Sequence, residues 1–115
     1  MKKFKIKKED IKELIEIEGP NGCLATDKIT VDGCKVGYMY REEPVVNTYD
    51  SGWRFFSGDE EEEYCDNPDN ISIYQINTIA NYDQDIIPFL NAPYGSAFIR
   101  DENDNFIKDV IVVRE

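Results

Sequence analysis

Turn signals interrupt this chain at short intervals, and they restrict its fold more than any other feature of the sequence. No apolar run between them approaches the roughly 18 residues that a membrane-spanning helix needs, so only short elements fit. At 115 residues the chain is long enough for one domain with a buried core that needs no metal or disulfide. The clearest signals are Gly19-Pro20-Asn21-Gly22, Asp32-Gly33, Asn67-Pro68-Asp69-Asn70 and the polar segment Asp101–Asn105.

Three segments between these turns have the patterns of short helices. The i, i+3, i+4 spacing of Ile11, Leu14 and Ile15 predicts that the first is amphipathic, and Asp83 is the predicted N-cap of the last. The acidic residues of the middle segment are favourable near the N-terminal end of a helix dipole. Helices are therefore predicted at Asp10–Glu18, Asp59–Asp66 and Gln84–Leu90.

The remaining apolar segments are typical of short strands. The alternation in Lys35–Arg41 predicts that Val36, Tyr38 and Tyr40 share one face and Met39 lies on the other. Short connections favour antiparallel pairing, so we predict an α+β domain with a mostly antiparallel sheet of five or six short strands and two or three short helices. Strand candidates are Cys23–Ala25, Lys28–Val31, Lys35–Arg41, Trp53–Ser57, Ile71–Asn77, Ser96–Arg100 and Phe106–Val113.

The absence of histidine removes several classes of chemistry from this chain. Histidine-based acid–base catalysis, Ser-His and Cys-His nucleophile pairs and histidine-containing metal sites are all excluded. The sequence has no glycine-rich phosphate loop and no nucleophile elbow, and nothing selects a catalytic pair among its carboxylates. We therefore expect a protein that is not an enzyme, with no catalytic residues and no cofactor.

The cysteines and the N-terminal sequence indicate a cytoplasmic protein. Cys23, Cys34 and Cys65 are odd in number and far apart, which argues against a disulfide framework or a zinc site. The lysine-rich segment Met1–Lys8 is not followed by the apolar run of a secretory signal. No metal site is assigned.

Charge is distributed unevenly along the chain. The formal net charge is −11, and Glu42–Asp69 contains ten carboxylates but a single cation, Arg54. Such a segment repels nucleic acid and anionic lipid, so neither is an expected partner. It favours a basic partner or a cation, although an acidic surface that only keeps the protein soluble explains the same composition.

The segment around Trp53 concentrates the residue types that anchor interfaces. In a strand, Trp53 and Phe55 point to one face while Arg54 and Phe56 point to the other. Two interpretations stay open for Trp53 and Tyr64, which are either core residues or partner contacts. Arg54 is expected to pair with a nearby carboxylate, the candidates being Asp50, Asp59 and Glu60.

Four stretches of this chain resemble a bacterial family of immunity proteins from polymorphic toxin systems, known as immunity family thirty-three and formerly as a domain of unknown function. The resemblance covers roughly residues 23–113, which places residues 1–22 outside it as an N-terminal arm with a short helix and makes 23–115 the α+β domain of one globular unit. The motifs are Val36–Pro44, Asp50–Glu60, Ile73–Ala80 and Gly95–Phe98.

This resemblance implies a non-enzymatic protein that neutralises a bacterial toxin by protein–protein contact. We expect the acidic face, Asp59–Glu63 with Glu42 and Glu43, to dock on a basic surface of the cognate toxin. The alternative is a cytoplasmic module that binds a small cationic ligand or a divalent metal. The sequence sets no oligomeric state. The candidate partner-binding residues are Trp53, Arg54, Asp59, Glu60, Glu61 and Tyr64.

Overall fold

The structure, a computed structural model, describes residues 2–44 and 49–109. Within them lie six strands, β1 to β6, at Gly22–Thr26, Tyr38–Arg41, Asp50–Phe56, Ile71–Gln75, Ala97–Arg100 and Phe106–Asp109. Three short α-helices, α1 to α3, span Asp27–Thr30, Glu62–Asp66 and Ile76–Tyr82. Short 3-10 helices lie at Lys8–Asp10, Pro68–Asn70 and Gln84–Phe89.

The six strands form one sheet in the order β4-β1-β3-β2-β5-β6. Strands β1 and β3 are parallel, and the other four neighbouring pairs are antiparallel. The predicted α+β class with a mostly antiparallel sheet is therefore confirmed. The parallel pair forms because the chain leaves β1 through α1 and returns through β2 before it reaches β3.

One face of the sheet packs against α1, α3 and the 3-10 helix at Gln84–Phe89 and forms the core. Strand register places Cys23 opposite Trp53, and Phe55 opposite both Ala25 and Met39. All five side chains are buried, and they pack against buried isoleucines of α1, α3 and the 3-10 helix at Gln84–Phe89, which are Ile29, Ile76, Ile79 and Ile86. The prediction that Trp53 and Phe55 share a face is confirmed, and this face is the core face.

The helix predicted over Asp10–Glu18 is wrong. Apart from the 3-10 turn that ends at Asp10, this segment has no regular secondary structure. Its backbone is bound by two asparagines of α3 instead of by its own turns. Asn77 Oδ1 accepts hydrogen bonds from the N–H groups of Leu14 and Ile15 at 2.8 and 3.2 Å, and Asn81 Oδ1 accepts one from Lys12 N–H at 2.9 Å. Side chains distant in sequence thus replace the local hydrogen bonds on which a helix depends.

The strand predicted at Lys28–Val31 is also wrong, because α1 occupies Asp27–Thr30. Ile29 and Thr30 are both 0% exposed, and one helical turn buries two adjacent side chains under the same sheet face, whereas a strand would point them to opposite faces. The Asp32-Gly33 signal does mark a turn, since Gly33 has φ +80°, but this turn follows a helix and does not join two strands.

The face predicted for Val36 is wrong as well. Strand β2 begins only at Tyr38, and Val36 lies before it, where its N–H donates to Asp83 Oδ2 at 3.0 Å. Val36 is therefore buried in the core with Met39, while Tyr38 and Tyr40 point to the opposite face. The last strand begins at Phe106 as predicted, and residues 110–113 of that prediction lie outside the described residues.

Candidate partner-binding surface

The sheet face opposite α1 and α3 carries apolar side chains on all six strands, and we call it the open face. Strand register brings two rows of side chains to it. One row crosses four strands as Phe56, Tyr38, Ile99 and Ile107. The other row runs through Ile73, Leu24, Arg54, Tyr40 and Ala97.

Three aromatic rings form the centre of the open face. The Tyr40 and Phe56 rings are stacked, with centroids 5.8 Å apart, and the Tyr38 ring lies 5.9 Å from Tyr40 and 6.0 Å from Phe56. All three side chains are half-buried. At the margins, Ile73 is 72% exposed, Ile107 48% and Ile99 41%. The open face therefore presents an aromatic centre with accessible aliphatic edges.

Arg54 lies within the open face and is held between two carboxylates. Its guanidinium bonds Asp50 in a bidentate manner, at 2.8 and 2.7 Å, and donates from Nε to Glu42 at 2.8 Å. Pairing with Asp50 confirms one of the predicted partners, while Glu42 takes the place of Asp59 and Glu60. Hydrogen bonding to Arg54 lowers the pKa of Asp50, and the same contact raises the pKa of Arg54. Two carboxylates against one guanidinium leave this cluster net negative.

Asp50 makes stability depend on pH in a defined direction. Its pKa is lowered from the usual 3.8 by Arg54, so the ion pair stabilises the folded protein at neutral pH and is lost as pH falls through the lowered value. We expect Asp50→Asn to cost about 1–3 kcal/mol at neutral pH. Urea unfolding of both proteins down to about pH 3 should show this difference shrinking below about pH 4. A difference that stays constant with pH would contradict the assignment.

Glu60 stabilises the turn that follows β3. Its carboxylate accepts hydrogen bonds from the N–H groups of Ser57 and Gly58 at 2.7 and 2.9 Å, and from the hydroxyl of Thr26 on β1. Burial alone would raise the pKa of Glu60, but these hydrogen bonds outweigh it and the pKa is lowered. Glu60 is therefore charged at neutral pH, and its carboxylate is occupied by the fold.

The rest of the acidic run Asp59–Glu63 is more accessible to solvent than Glu60. Asp59 forms an exposed ion pair with Lys28 at 3.3 Å. The pKa of Asp59 is lowered, chiefly by a hydrogen bond from the Ser57 hydroxyl and secondly by the hydrogen bond from Lys28. Lys28 Nζ also lies 5.3 Å from the centroid of the half-buried Tyr64 ring. Glu61, Glu62 and Glu63 are exposed, and in the described part of the chain no lysine or arginine lies within 4.0 Å of their carboxylates.

Over residues 2–44 and 49–109, no helix is long and apolar enough to cross a membrane. In the same ranges, no group of three or more aspartate, glutamate or cysteine side chains is arranged to hold a metal ion.

Residues 23–110 match the family model described as the Immunity protein Imm33 domain. The chain belongs to this family of immunity proteins. The match confirms the resemblance inferred from the sequence motifs. It begins at the second residue of β1 and ends one residue after β6, so it leaves out the N-terminal arm. No curated protein and no solved structure was found to match the chain.

In this Imm33 domain, the segment Gly52-Trp53-Arg54-Phe55 of the Asp50–Glu60 motif lies within β3. Trp53 is 0% exposed, and its indole N–H donates to the carbonyl of Leu90 at 3.2 Å. A Cβ on Gly52 would lie 2.0 Å from the Glu42 carbonyl oxygen, so β2 and β3 approach too closely there for any other residue. Phe55 is buried beside Trp53, with ring centroids 6.0 Å apart. Burial thus decides the alternatives left open for Trp53 in favour of the core.

The six predicted partner-binding residues do not share one kind of environment in the Imm33 domain. Trp53 and Arg54 are buried, Glu60 and Tyr64 are half-buried, and Asp59 and Glu61 are exposed. The sequence did not predict the open face, whose residues are Tyr38, Tyr40, Phe56, Ile73, Ile99 and Ile107. The available signal was that β2 and β3 carry large apolar side chains at successive positions, as in Phe55-Phe56, so both faces of the sheet are apolar.

Proposed function

We propose that this Imm33-family protein neutralises a bacterial toxin by binding it, without catalysing a reaction. The family match over residues 23–110 carries the proposal, because the members of this family are described as immunity proteins. Neutralisation by contact requires only a complementary surface, which is consistent with a chain that has no histidine.

We further propose that the acidic run Asp59–Glu63, with Glu42 and Glu43, faces a basic surface of the toxin. The support is electrostatic, since Glu61, Glu62 and Glu63 are exposed and the protein carries a net charge of −11. Complementary charge raises the rate of association more than it raises affinity itself. Where the toxin is a nuclease, these carboxylates would compete for the cations that hold phosphate groups of the substrate.

Affinity capture followed by a protection assay tests the proposed function. The tagged protein is used to capture partners from a lysate of the source bacterium at low salt and at roughly 1 M salt, where the Debye length falls from about 10 Å to about 3 Å. The captured protein is then expressed in a host with and without this chain. We expect a salt-sensitive partner that arrests growth alone and is harmless when co-expressed. A partner whose toxicity is unchanged by co-expression would overturn the proposal.

Charge reversal tests the acidic run separately. Replacing Glu61, Glu62 and Glu63 together with lysine should slow association with the toxin by about tenfold or more at low salt, because steering attraction becomes repulsion. The melting temperature should fall only slightly, since these side chains are exposed and make no ion pair in the described part of the chain, and only the favourable position of Glu62 and Glu63 in the first turn of α2 is lost. Surface plasmon resonance gives the association rate and calorimetry the melting temperature.

The matched control reverses three exposed glutamates of the N-terminal arm, Glu13, Glu16 and Glu18, and so changes the net charge equally. Equal slowing in both triple variants would mean that net charge, and not the acidic run, guides the toxin. Calorimetric titration with calcium, magnesium or a polyamine addresses the alternative function. A saturable one-site isotherm would support a cation-binding module.

A further inference from the structure

We propose that the open face of the sheet is the surface on which the toxin is anchored, and that it receives an arginine of the toxin flanked by apolar side chains. This inference rests on the proposed function and adds to it the surface and the chemistry of the partner segment. The acidic run would govern approach, whereas the open face would govern how long the complex lasts.

The open face is apolar, although it is not the face that forms the core. An antiparallel sheet with one face on the core normally carries polar residues on its other face. Here one complete row, Phe56, Tyr38, Ile99 and Ile107, has no charged member across four strands. Exposed apolar patches bordered by polar residues are typical of interaction sites.

The open face is not flat. Two clefts lie on either side of the stacked Tyr40 and Phe56 rings. The larger, of about 190 Å³, is also lined by Tyr38, Ile99, Glu60 and Cys65 of α2. The smaller, of about 110 Å³, is also lined by Leu24, Ile71, Glu42 and Arg54. Each cleft therefore combines aromatic ring surface with one carboxylate. That of Glu60 accepts its hydrogen bonds from uncharged groups, and that of Glu42 shares Arg54 with Asp50.

Charge decides what kind of occupant fits these clefts. Arg54 is the one cation that strand register brings to the described part of this face, and Asp50 and Glu42 more than balance it. Burial and, second, the charge of Asp109 raise the pKa of Tyr38. Burial and then Glu42 raise the pKa of Tyr40, against an opposing effect of Arg54. A second copy of this chain would bring the same negative surface and be repelled.

An arginine satisfies both features of the clefts at once. Its planar guanidinium stacks on aromatic rings and donates to carboxylates in a fixed geometry, whereas the lysine ammonium is a more strongly hydrated point charge. Apolar side chains beside that arginine would cover the exposed parts of Ile73, Ile99 and Ile107. The expected partner is thus a basic protein segment with interspersed apolar residues.

A titration followed by NMR tests the chemistry without any toxin. The full chain, labelled with nitrogen-15, is titrated with N-acetyl-arginine amide and with the citrulline analogue, which is neutral and nearly identical in shape. We expect the arginine probe to bind about two- to fivefold tighter, with shifts at Tyr38, Tyr40, Phe56 and Ile99. Equal affinity for both probes, or shifts confined to Glu61–Glu63, would overturn the proposal. A concentration-dependent dimer formed through the same residues would also overturn it.

An Ile99→Lys variant tests the same surface against the captured toxin. The new ammonium lies beside the larger cleft and competes with the incoming arginine, so dissociation should accelerate by roughly tenfold or more. Leu14→Lys is the matched control, because Leu14 is 37% exposed against 41% for Ile99 and lies on the N-terminal arm. Melting temperatures of both variants confirm folding.

These outcomes separate the two proposals. Unchanged dissociation of Ile99→Lys from a toxin that the protein still neutralises would overturn the open-face assignment and leave the proposed function intact. Arginine-selective shifts on the open face, together with a captured partner that co-expression does not neutralise, would support the site and overturn the function.

Discussion

Replacing Gly52 with alanine is expected to destabilise the protein by about 3 kcal/mol or more, since a left-handed backbone and a steric clash add together. Gly52 has φ +93°, and a Cβ there would lie 2.0 Å from the carbonyl oxygen of Glu42. That carbonyl belongs to the backbone next to β2, and the Glu42 N–H donates to the Gly52 carbonyl at 3.0 Å. Relieving the clash therefore means separating β2 from β3 at this point.

Gly95 provides a control that isolates the clash from the backbone angle. Its φ of +92° is nearly the same, but a Cβ on Gly95 would meet nothing within 4 Å. Gly95→Ala should then cost only about 1–2 kcal/mol, the penalty for a left-handed L-residue. Urea unfolding followed by the fluorescence of Trp53, the single tryptophan, measures both. Equal losses in the two variants would show that the close approach of β2 and β3 is unimportant.

The comparison of Gly52→Ala with Gly95→Ala also shows how variants in the Asp50–Glu60 motif should be interpreted. If Gly52→Ala fails mainly through folding, then loss of toxin binding in that variant says nothing about direct contact. The same caution applies to Trp53, which has no exposed surface. Variants of exposed residues such as Glu61 or Ile99 are the ones that report on the interface.

The parts of the fold that followed from the sequence are those with strong local patterns. The alternation of Trp53 and Phe55 with Arg54 and Phe56 predicted a strand with two different faces, and β3 has them. Asp83 was predicted as a helix cap, and its side chain accepts a hydrogen bond from the Asp85 N–H at 3.0 Å. In both cases the deciding interactions lie within a few residues in sequence.

The parts that did not follow depend on contacts between distant segments. The spacing of Ile11, Leu14 and Ile15 suited a helix, but hydrogen bonds from Asn77 and Asn81 hold that backbone in another conformation. Local spacing carries no information about such partners. The open face was missed for a related reason, because alternation shows that two faces exist but not which of them packs against α1 and α3.

Removing the carboxylate of Asp83 is expected to cost about 3–5 kcal/mol, because it breaks a buried ion pair and leaves Arg100 only the exposed carboxylates of Asp85 and Asp104. Asp83 Oδ2 accepts from Arg100 Nη2 at 2.6 Å and from the N–H of Val36 at 3.0 Å. The side chains of Asp83 and Arg100 are only 4% and 9% exposed. This one carboxylate therefore joins the end of α3 to β5 and to the segment before β2, and Asp83→Ala should lower the urea midpoint strongly.

Asp85 is the matched control, since it bonds the same arginine. Its carboxylate lies 3.2 Å from Arg100 Nη1, but its side chain is 60% exposed, so Asp85→Ala should cost less than about 1 kcal/mol. A loss for Asp83→Ala as small as that for Asp85→Ala would mean that water replaces the buried carboxylate. If instead only Asp83→Ala strongly lowers the free energy of unfolding, burial and not the number of ion pairs on Arg100 sets the contribution of each pair. The reason is that solvent screens the exposed pair with Asp85 but not the buried pair with Asp83.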